Sequence, residues 1–235
     1  MRKVFILFSL LVLGQLAATA HEFWLQAKKY RFAISEEVAF DFLVGENFEG
    51  EPWDLKPEKI DRIEWHAASG SQKINNLLRF SEPEKLKLKF SKEGTNLIYF
   101  QSKDAFIELE GEKFNAYLKE DGLDDIYDQR KKTNTLNKPA REHYGRYAKI
   151  LVQCGTSTDD TFKKKVGTRL EIIPLQYPYT LTTGDYLACQ ILFDGKPSPH
   201  QMVKVWNKIP SRTFLQNIYT EKDGTIRFPI NAKGP

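Results

Sequence analysis

Val38-Ala39-Phe40-Asp41-Phe42-Leu43-Val44-Gly45 is the stretch that decides the fold class. It concentrates β-branched and aromatic side chains and stops at a glycine, the composition of a strand running into a turn. Upstream, Phe23-Trp24-Leu25 and Tyr30-Arg31-Phe32-Ala33-Ile34 read as two more short strands. Downstream, Lys59 to Ala67 alternates. Asp61, Ile63, Trp65 and Ala67 share one face; Arg62, Glu64 and His66 share the other, which reads as solvated. Leu86 to Phe90 alternates with lysines, and Gly94-Thr95-Asn96 opens Leu97-Ile98-Tyr99-Phe100-Gln101. Strands at roughly 10-residue spacing, separated by turn residues, predict an all-β sandwich for this part of the chain.

Between Lys113 and Arg130 the period changes. Phe114, Tyr117, Leu118, Leu123, Ile126 and Tyr127 recur at helical intervals, with Gly122 as a kink or boundary. Pro139 then suits the first turn of a second helix carrying His143, Tyr144, Tyr147, Ala148 and Leu151, closed by Gly155. The expectation is a helical hairpin over about 113–154, inserted in or appended to a β-sandwich spanning 21–160. Its aromatic stripe reads as core. Thr156 to Lys165 is polar and charged and reads as a linker.

Residues 167–235 predict a second, immunoglobulin-like or transthyretin-like β-sandwich. Its candidate strands are 169–174, 186–193, 202–206, 214–219 and 225–230, with Asp194-Gly195 and Asp223-Gly224 as hairpin turns. The sequence stops soon after a strand, so this module is expected to lack a closing strand or to borrow one.

The N-terminus reads as a secretory signal over residues 1–20. Arg2 and Lys3 precede an apolar run from Val4 to Leu16, and Ala18-Thr19-Ala20 is an A-x-A cleavage site. The run is shorter than the roughly 20 residues that span a bilayer, and no later segment is apolar enough to do so. The mature chain is expected in the periplasm, beginning at His21. Removal of Arg2 and Lys3 lowers the net charge from +4 to about +2, too small a bias for a nucleic-acid partner. The two cysteines, Cys154 and Cys189, read either as one disulfide or as two buried thiols.

The sequence holds no G-x-S-x-G, Walker loop, H-E-x-x-H or C-x-x-C, and its carboxylates show no pairing suited to acid–base chemistry, so a non-enzyme is expected. The chemistry that stands out is His21. Once liberated, it offers an α-amine and an imidazole to the same ion, and imidazole suits Zn, Cu, Fe and Ni. Further ligands would come from the other histidines, His66, His143 and His200, and from carboxylates such as Glu22. Each has a plainer reading: His66 on a solvated strand face, His143 packed on a helix. His200, after Pro197-Ser198-Pro199, reads as exposed.

Several stretches together resemble a known family. They are His21-Glu22-Phe23-Trp24-Leu25, Val44-Gly45-Glu46 with Phe48 and Gly50, and Phe114 to Leu118 with Arg141 to Lys149. Leu170-Glu171-Ile172-Ile173-Pro174, Gly195-Lys196-Pro197, Val203 and Asp223-Gly224 complete the set. The chain is similar to an uncharacterised periplasmic family often labelled a nickel-uptake or cobalt-transport periplasmic component. The resemblance implies an N-terminal β domain, a C-terminal immunoglobulin-like module and a link to divalent transition metals. That link falls on His21 by position and extends weakly to His143. It also implies a further aromatic strand beyond Gly234, which this sequence lacks.

Two functions are therefore expected. One is a periplasmic protein that binds a divalent transition metal and serves an inner-membrane metal transporter. The alternative is an envelope module that recognises protein or glycan through aromatics such as Trp53 and Trp206. A copper oxidase using His21 is a third class, without a supporting motif.

Overall fold

The computed structural model describes residues 22–209 and 212–231. The predicted signal peptide and His21 lie outside the described residues. Along the chain run β1 (Glu22–Ala27), β2 (Arg31–Phe32), β3 (Glu37–Glu46), β4 (Glu49–Pro52), β5 (Ile60–Ala67), β6 (Gly70–Lys73), β7 (Leu86–Lys89), β8 (Gly94–Ser102) and β9 (Ala105–Leu109). Helices α1 (Gly111–Glu120) and α2 (Asp124–Lys132) follow. Then come β10 (Ala140–Tyr144), β11 (Tyr147–Cys154), β12 (Leu170–Pro174), β13 (Tyr186–Phe193), β14 (Lys196–Pro197), β15 (Met202–Ile209), β16 (Arg212–Tyr219) and β17 (Thr225–Pro229). The fold is mainly β with a small helical insert. No helix among the described residues is long and apolar enough to cross a membrane.

The deciding stretch forms β3. Val38, Phe40 and Phe42 turn inward at alternate positions, while β1 pairs with β3 along one side and β4 and β7 pair with it as well. A second sheet runs β2-β11-β8-β5-β6. Its central strand β8 is buried along almost its whole length, because elements cover both of its faces. The two sheets enclose one large core that includes Phe40, Phe42, Ile63, Leu86, Phe90, Ile98 and Phe100. Phe100 is its hub, with the rings of Phe23, Phe42 and Trp53 at centroid distances of 5.1, 5.4 and 5.7 Å. Trp53 is thus half-buried against the core rather than a free contact residue.

The expected second helix over 139–154 does not form. Residues 140–144 are β10, paired with β9, and residues 147–154 are β11, paired antiparallel with β8 through eight partners. Tyr144, Tyr147, Ala148 and Leu151 satisfy a helical period, but Ile150, Val152 and Cys154 satisfy a period of two and are buried in the core. Pairing along β8 decides between the two patterns, because it buries the β-branched face and satisfies the backbone together. The helical insert is instead α1 and α2, which meet at the Gly122 boundary (φ +67).

In the C-terminal part, β12-β13-β14 with β17 on β13 form one sheet, and β15-β16 form a two-stranded ribbon. Their shared core is small: Cys189, Ile191 and Ile226 are buried, with Leu187, Val203, Val205, Ile218 and Phe228 packed around them. Asp194 (φ 47) and Gly195 (φ 76) make the left-handed pair of a two-residue hairpin between β13 and β14. Asp223-Gly224 is a turn but not a hairpin, since β16 pairs with β15 whereas β17 pairs with β13. Cys154 and Cys189 are both free and buried, each in the core of its own part of the chain. The disulfide alternative is thereby replaced by two thiols.

The parts are joined by specific contacts. Glu171 on β12 is buried and accepts from Lys149 Nζ on β11 at 2.5 Å, and from the backbone N–H groups of Val166 and Gly167 at 2.6 and 3.2 Å. Tyr177 donates to Gln153 Oε1 at 2.5 Å and Tyr179 to the Leu151 carbonyl at 2.6 Å.

Candidate functional site

The ribbon β15-β16 has two working faces. Val203, Val205 and Ile218 face the small C-terminal core. Strand alternation puts Met202, Lys204, Trp206 and Lys208 on the other face. That face lies on the start of β1, the β3–β4 turn and the α1–α2 turn. Trp206 Nε1 donates to Glu22 Oε1 at 3.1 Å, and Lys204 Nζ pairs with Asp121 Oδ1 at 2.8 Å. Lys208 Nζ donates to the Phe48 carbonyl at 2.9 Å, and Met202 packs where a Cβ on Gly122 would clash. Four elements distant in sequence meet here, next to the residue preceded by His21.

The electrostatics of this junction are one-sided. Glu22 and Asp121 approach Lys204 from β1 and the end of α1, and Glu142 on β10 lies within reach of the Asp121 charge. Burial raises the Glu22 carboxyl above the usual carboxylate range. Lys204, the Trp206 N–H and the Asn47 backbone N–H pull it back, and the Asp121 charge pushes it up. Burial likewise raises Glu142, opposed by a hydrogen bond from Tyr117 and reinforced by Asp121. Burial and the nearby Glu142 and Asp121 raise the Tyr117 phenol as well. The carbonyl end of α1 adds partial negative charge. Lys204 answers this field. Burial alone would lower its pKa, but Asp121, Glu22 and Glu120 raise it.

The β3–β4 turn supports the junction. Asn47 (φ 57) and Phe48 (φ 56) are both left-handed, a strained conformation for a phenylalanine. Its ring is fixed by Trp24 at 5.3 Å and Trp206 at 6.2 Å. An open groove of about 430 Å³ runs beside this turn, lined by Glu46, Glu49 and Glu51.

The predicted ligands are not gathered together. His66 is buried rather than solvated, because β6 and the segment around Val166 cover that face of β5. Its Nδ1 is 2.6 Å from Ser71 Oγ and its Nε2 is 3.0 Å from Glu64 Oε2, so both ring nitrogens are engaged. Burial lowers its pKa, against the opposing pull of Glu64. His143 is on strand β10, not a helix, exposed and 5.2 Å from the Phe106 ring. His200 is exposed in a loop. Among the described residues, no group of three or more His, Cys, Asp or Glu side chains is placed to hold a metal ion. His21 is outside them. Asp121, Glu142 and Lys204 escaped sequence reasoning, and Trp206 was singled out only as a candidate aromatic contact; the only other signal was the polar alternation of β15, which also fits an ordinary solvated face.

A family model described as a domain of unknown function, DUF4198, matches residues 18–235. No curated protein matches the chain.

Proposed function

The chain belongs to the DUF4198 family, and from that footing we propose that it is an exported, periplasmic protein that captures a divalent transition metal of the nickel or cobalt kind. On this reading residues 1–20 are removed as a signal peptide. His21 then supplies an amine and an imidazole, and the ion is cargo passed toward an inner-membrane transporter. The C-terminal module is read as immunoglobulin-like, serving as the wall of the site rather than as its ligand. No step of catalysis is assigned.

One observation supports the reading: the carboxylates of Glu22 and Asp121, from separate elements, meet one ammonium, Lys204, and Glu22 is the residue that follows His21 in sequence. The donor chemistry fits. Oxygen donors alone would favour hard ions, and nitrogen donors from His21 shift the preference toward transition metals. His66 and His143 sit elsewhere, with partners of their own.

The test is titration of exported, correctly processed protein with Ni, Co, Cu and Zn, after mass spectrometry of its N-terminus. Binding at micromolar affinity or tighter is expected. It should vanish in His21→Ala and in a variant with one extra residue before His21. Binding that survives both changes moves the site elsewhere.

A second reading has its own support. Leu170, Ile172 and Phe193 are exposed on the sheet face that also carries the C-terminal core residue Ile191. That apolar strip suits an envelope scaffold that recognises a protein, and a processed chain with no metal affinity would favour it.

A further inference from the structure

We propose that the free edge of β16 docks a second copy of this chain, the two β16 strands pairing antiparallel about a twofold axis at Gln216. This interface is independent of the metal-capture reading and needs no ion.

Among the described residues β16 pairs with β15 and with no other strand. The ladder runs unbroken from Arg212 to Tyr219, without a bulge. The Thr220 N–H donates to the Gln201 carbonyl at 2.9 Å, which sets the phase of the ladder: the even-numbered residues of β16 bond to β15. Thr213, Leu215, Asn217 and Tyr219 therefore aim their N–H and C=O groups at the free side. Such edges are normally blunted by lysine, proline or a bulge. β7 presents Lys87 and Lys89, β12 ends in Pro174, and β17 carries Arg227 and Pro229. β16 has no proline or lysine, and its one charge is Arg212, at its first position. Phe214, Leu215 and Tyr219 are left 45%, 42% and 52% exposed along it. A long, regular, apolar edge of this kind is a template for strand addition.

The strand is complementary to itself. The amide nitrogen of Gln216 is buried and has no hydrogen-bond partner among the described residues, a cost that an incoming acceptor removes. Antiparallel pairing centred on Gln216 sets that side chain opposite its own copy, at a non-hydrogen-bonded position where Cβ atoms stand about 4.5–5.5 Å apart. Each Gln216 amide then has an acceptor in the other. In the same register Thr213 meets Tyr219 and Leu215 meets Asn217, so the outward N–H and C=O groups answer one another in both directions. Phe214 falls beside Ile218, an aromatic against a β-branched side chain, which is a favourable cross-strand pair. Arg212 is set opposite Thr220, so no like charges face each other. The contact is isologous and closes with two copies. An edge of eight residues buries less than the roughly 1,200 Å² of a standard interface, so the dimer is weak and reversible.

The experiment is sedimentation velocity of the processed chain from about 1 to 500 µM, a range that brackets a weak dimer. Wild-type protein is expected to pass from monomer to dimer across it. Asn217→Pro deletes an outward N–H and leaves the bonds to β15 in place. It should keep the wild-type thermal melt and weaken dimerisation by about tenfold or more, the equivalent of losing one to two good contacts. Asn217→Ala should dimerise as wild type does. Leu215→Lys charges the edge, should also abolish the dimer, and decides the matter if Asn217→Pro does not fold. Mild oxidation should cross-link Gln216→Cys to its copy, because 216 is the self-opposed position, and should leave Phe214→Cys uncross-linked. Wild-type protein that stays monomeric throughout overturns the proposal. So does a dimer that survives Leu215→Lys, since its contact is elsewhere. Cross-linking of Phe214→Cys as readily as Gln216→Cys overturns the twofold register.

Discussion

Replacing Glu171 by alanine removes the acceptor at the seam between β11 and β12. The wild-type carboxylate is 3% exposed and accepts from the Lys149 ammonium and from the N–H groups of Val166 and Gly167. Lys149 is itself only 16% exposed at the side chain, so the substitution strands a charge. Removing one partner of a buried ion pair typically costs about 3–5 kcal/mol, and each orphaned buried N–H adds about 1–3 kcal/mol. Water reaching the partly open Lys149 end offsets some of this, so the expected loss is about 3 kcal/mol at pH 7. Glu171→Gln keeps an acceptor oxygen for one N–H and should lose about half as much. Lys149→Met leaves a carboxylate still bonded to two backbone groups and should cost about 2 kcal/mol. The double variant Lys149→Met/Glu171→Gln should lose about 1 kcal/mol less than the sum of its parts, because each single change strands what the other removes. Urea unfolding followed by tryptophan fluorescence measures all four. A Glu171→Ala loss below about 1 kcal/mol, or strict additivity in the double variant, would refute the claim that this pair seals the two parts together.

Four further outcomes are expected. His66 has a folded pKa below its ordinary value, so the unfolded chain takes up the proton first. Stability should be flat above pH 6.5 and fall as pH drops below it, and thermal melts between pH 5 and 8 should show this slope disappearing in His66→Gln. At the strained Phe48, the usual order should invert: Phe48→Gly relieves about 1 kcal/mol of left-handed backbone strain, whereas Phe48→Ala keeps the strain and loses the same ring contacts, so calorimetry should find Ala the less stable. Both cysteines should titrate as free thiols in denaturant after aerobic purification. Native Cys189, its thiol pushed up to about 12 by burial, should resist alkylation at pH 8. Metal affinity of the processed chain should weaken as pH falls from 8 to 5, because an imidazole and an amine must both give up protons to bind; calorimetry at several pH values reads this directly.

The strands were legible wherever one face was buried and the chain alternated. Val38, Phe40 and Phe42 on β3 and Leu86 and Leu88 on β7 announce themselves, and the five strands expected after residue 167 all form. Ambiguity arose where one stretch satisfied two periods. Residues 144–151 carry a helical stripe and a strand alternation at once, and only the partner strand β8, some fifty positions earlier, selects between them. His66 misled for a related reason: its neighbours Arg62 and Glu64 look like a solvated face, but the chain returns around Val166 to cover it, and the polar groups then satisfy one another.

The junction was the least legible part of the molecule, and its physics says why. Glu22 and Trp206 are separated by 184 positions, and Lys204 and Asp121 by 83. No local pattern distinguishes a lysine that will face water from one that will face the carboxylates of Asp121 and Glu22, since both alternate with apolar residues on a strand. What turns Lys204 into a counter-ion is the ribbon having cores or partners on both sides: Val203 and Val205 are claimed by the C-terminal module, which forces the intervening side chains onto the N-terminal one.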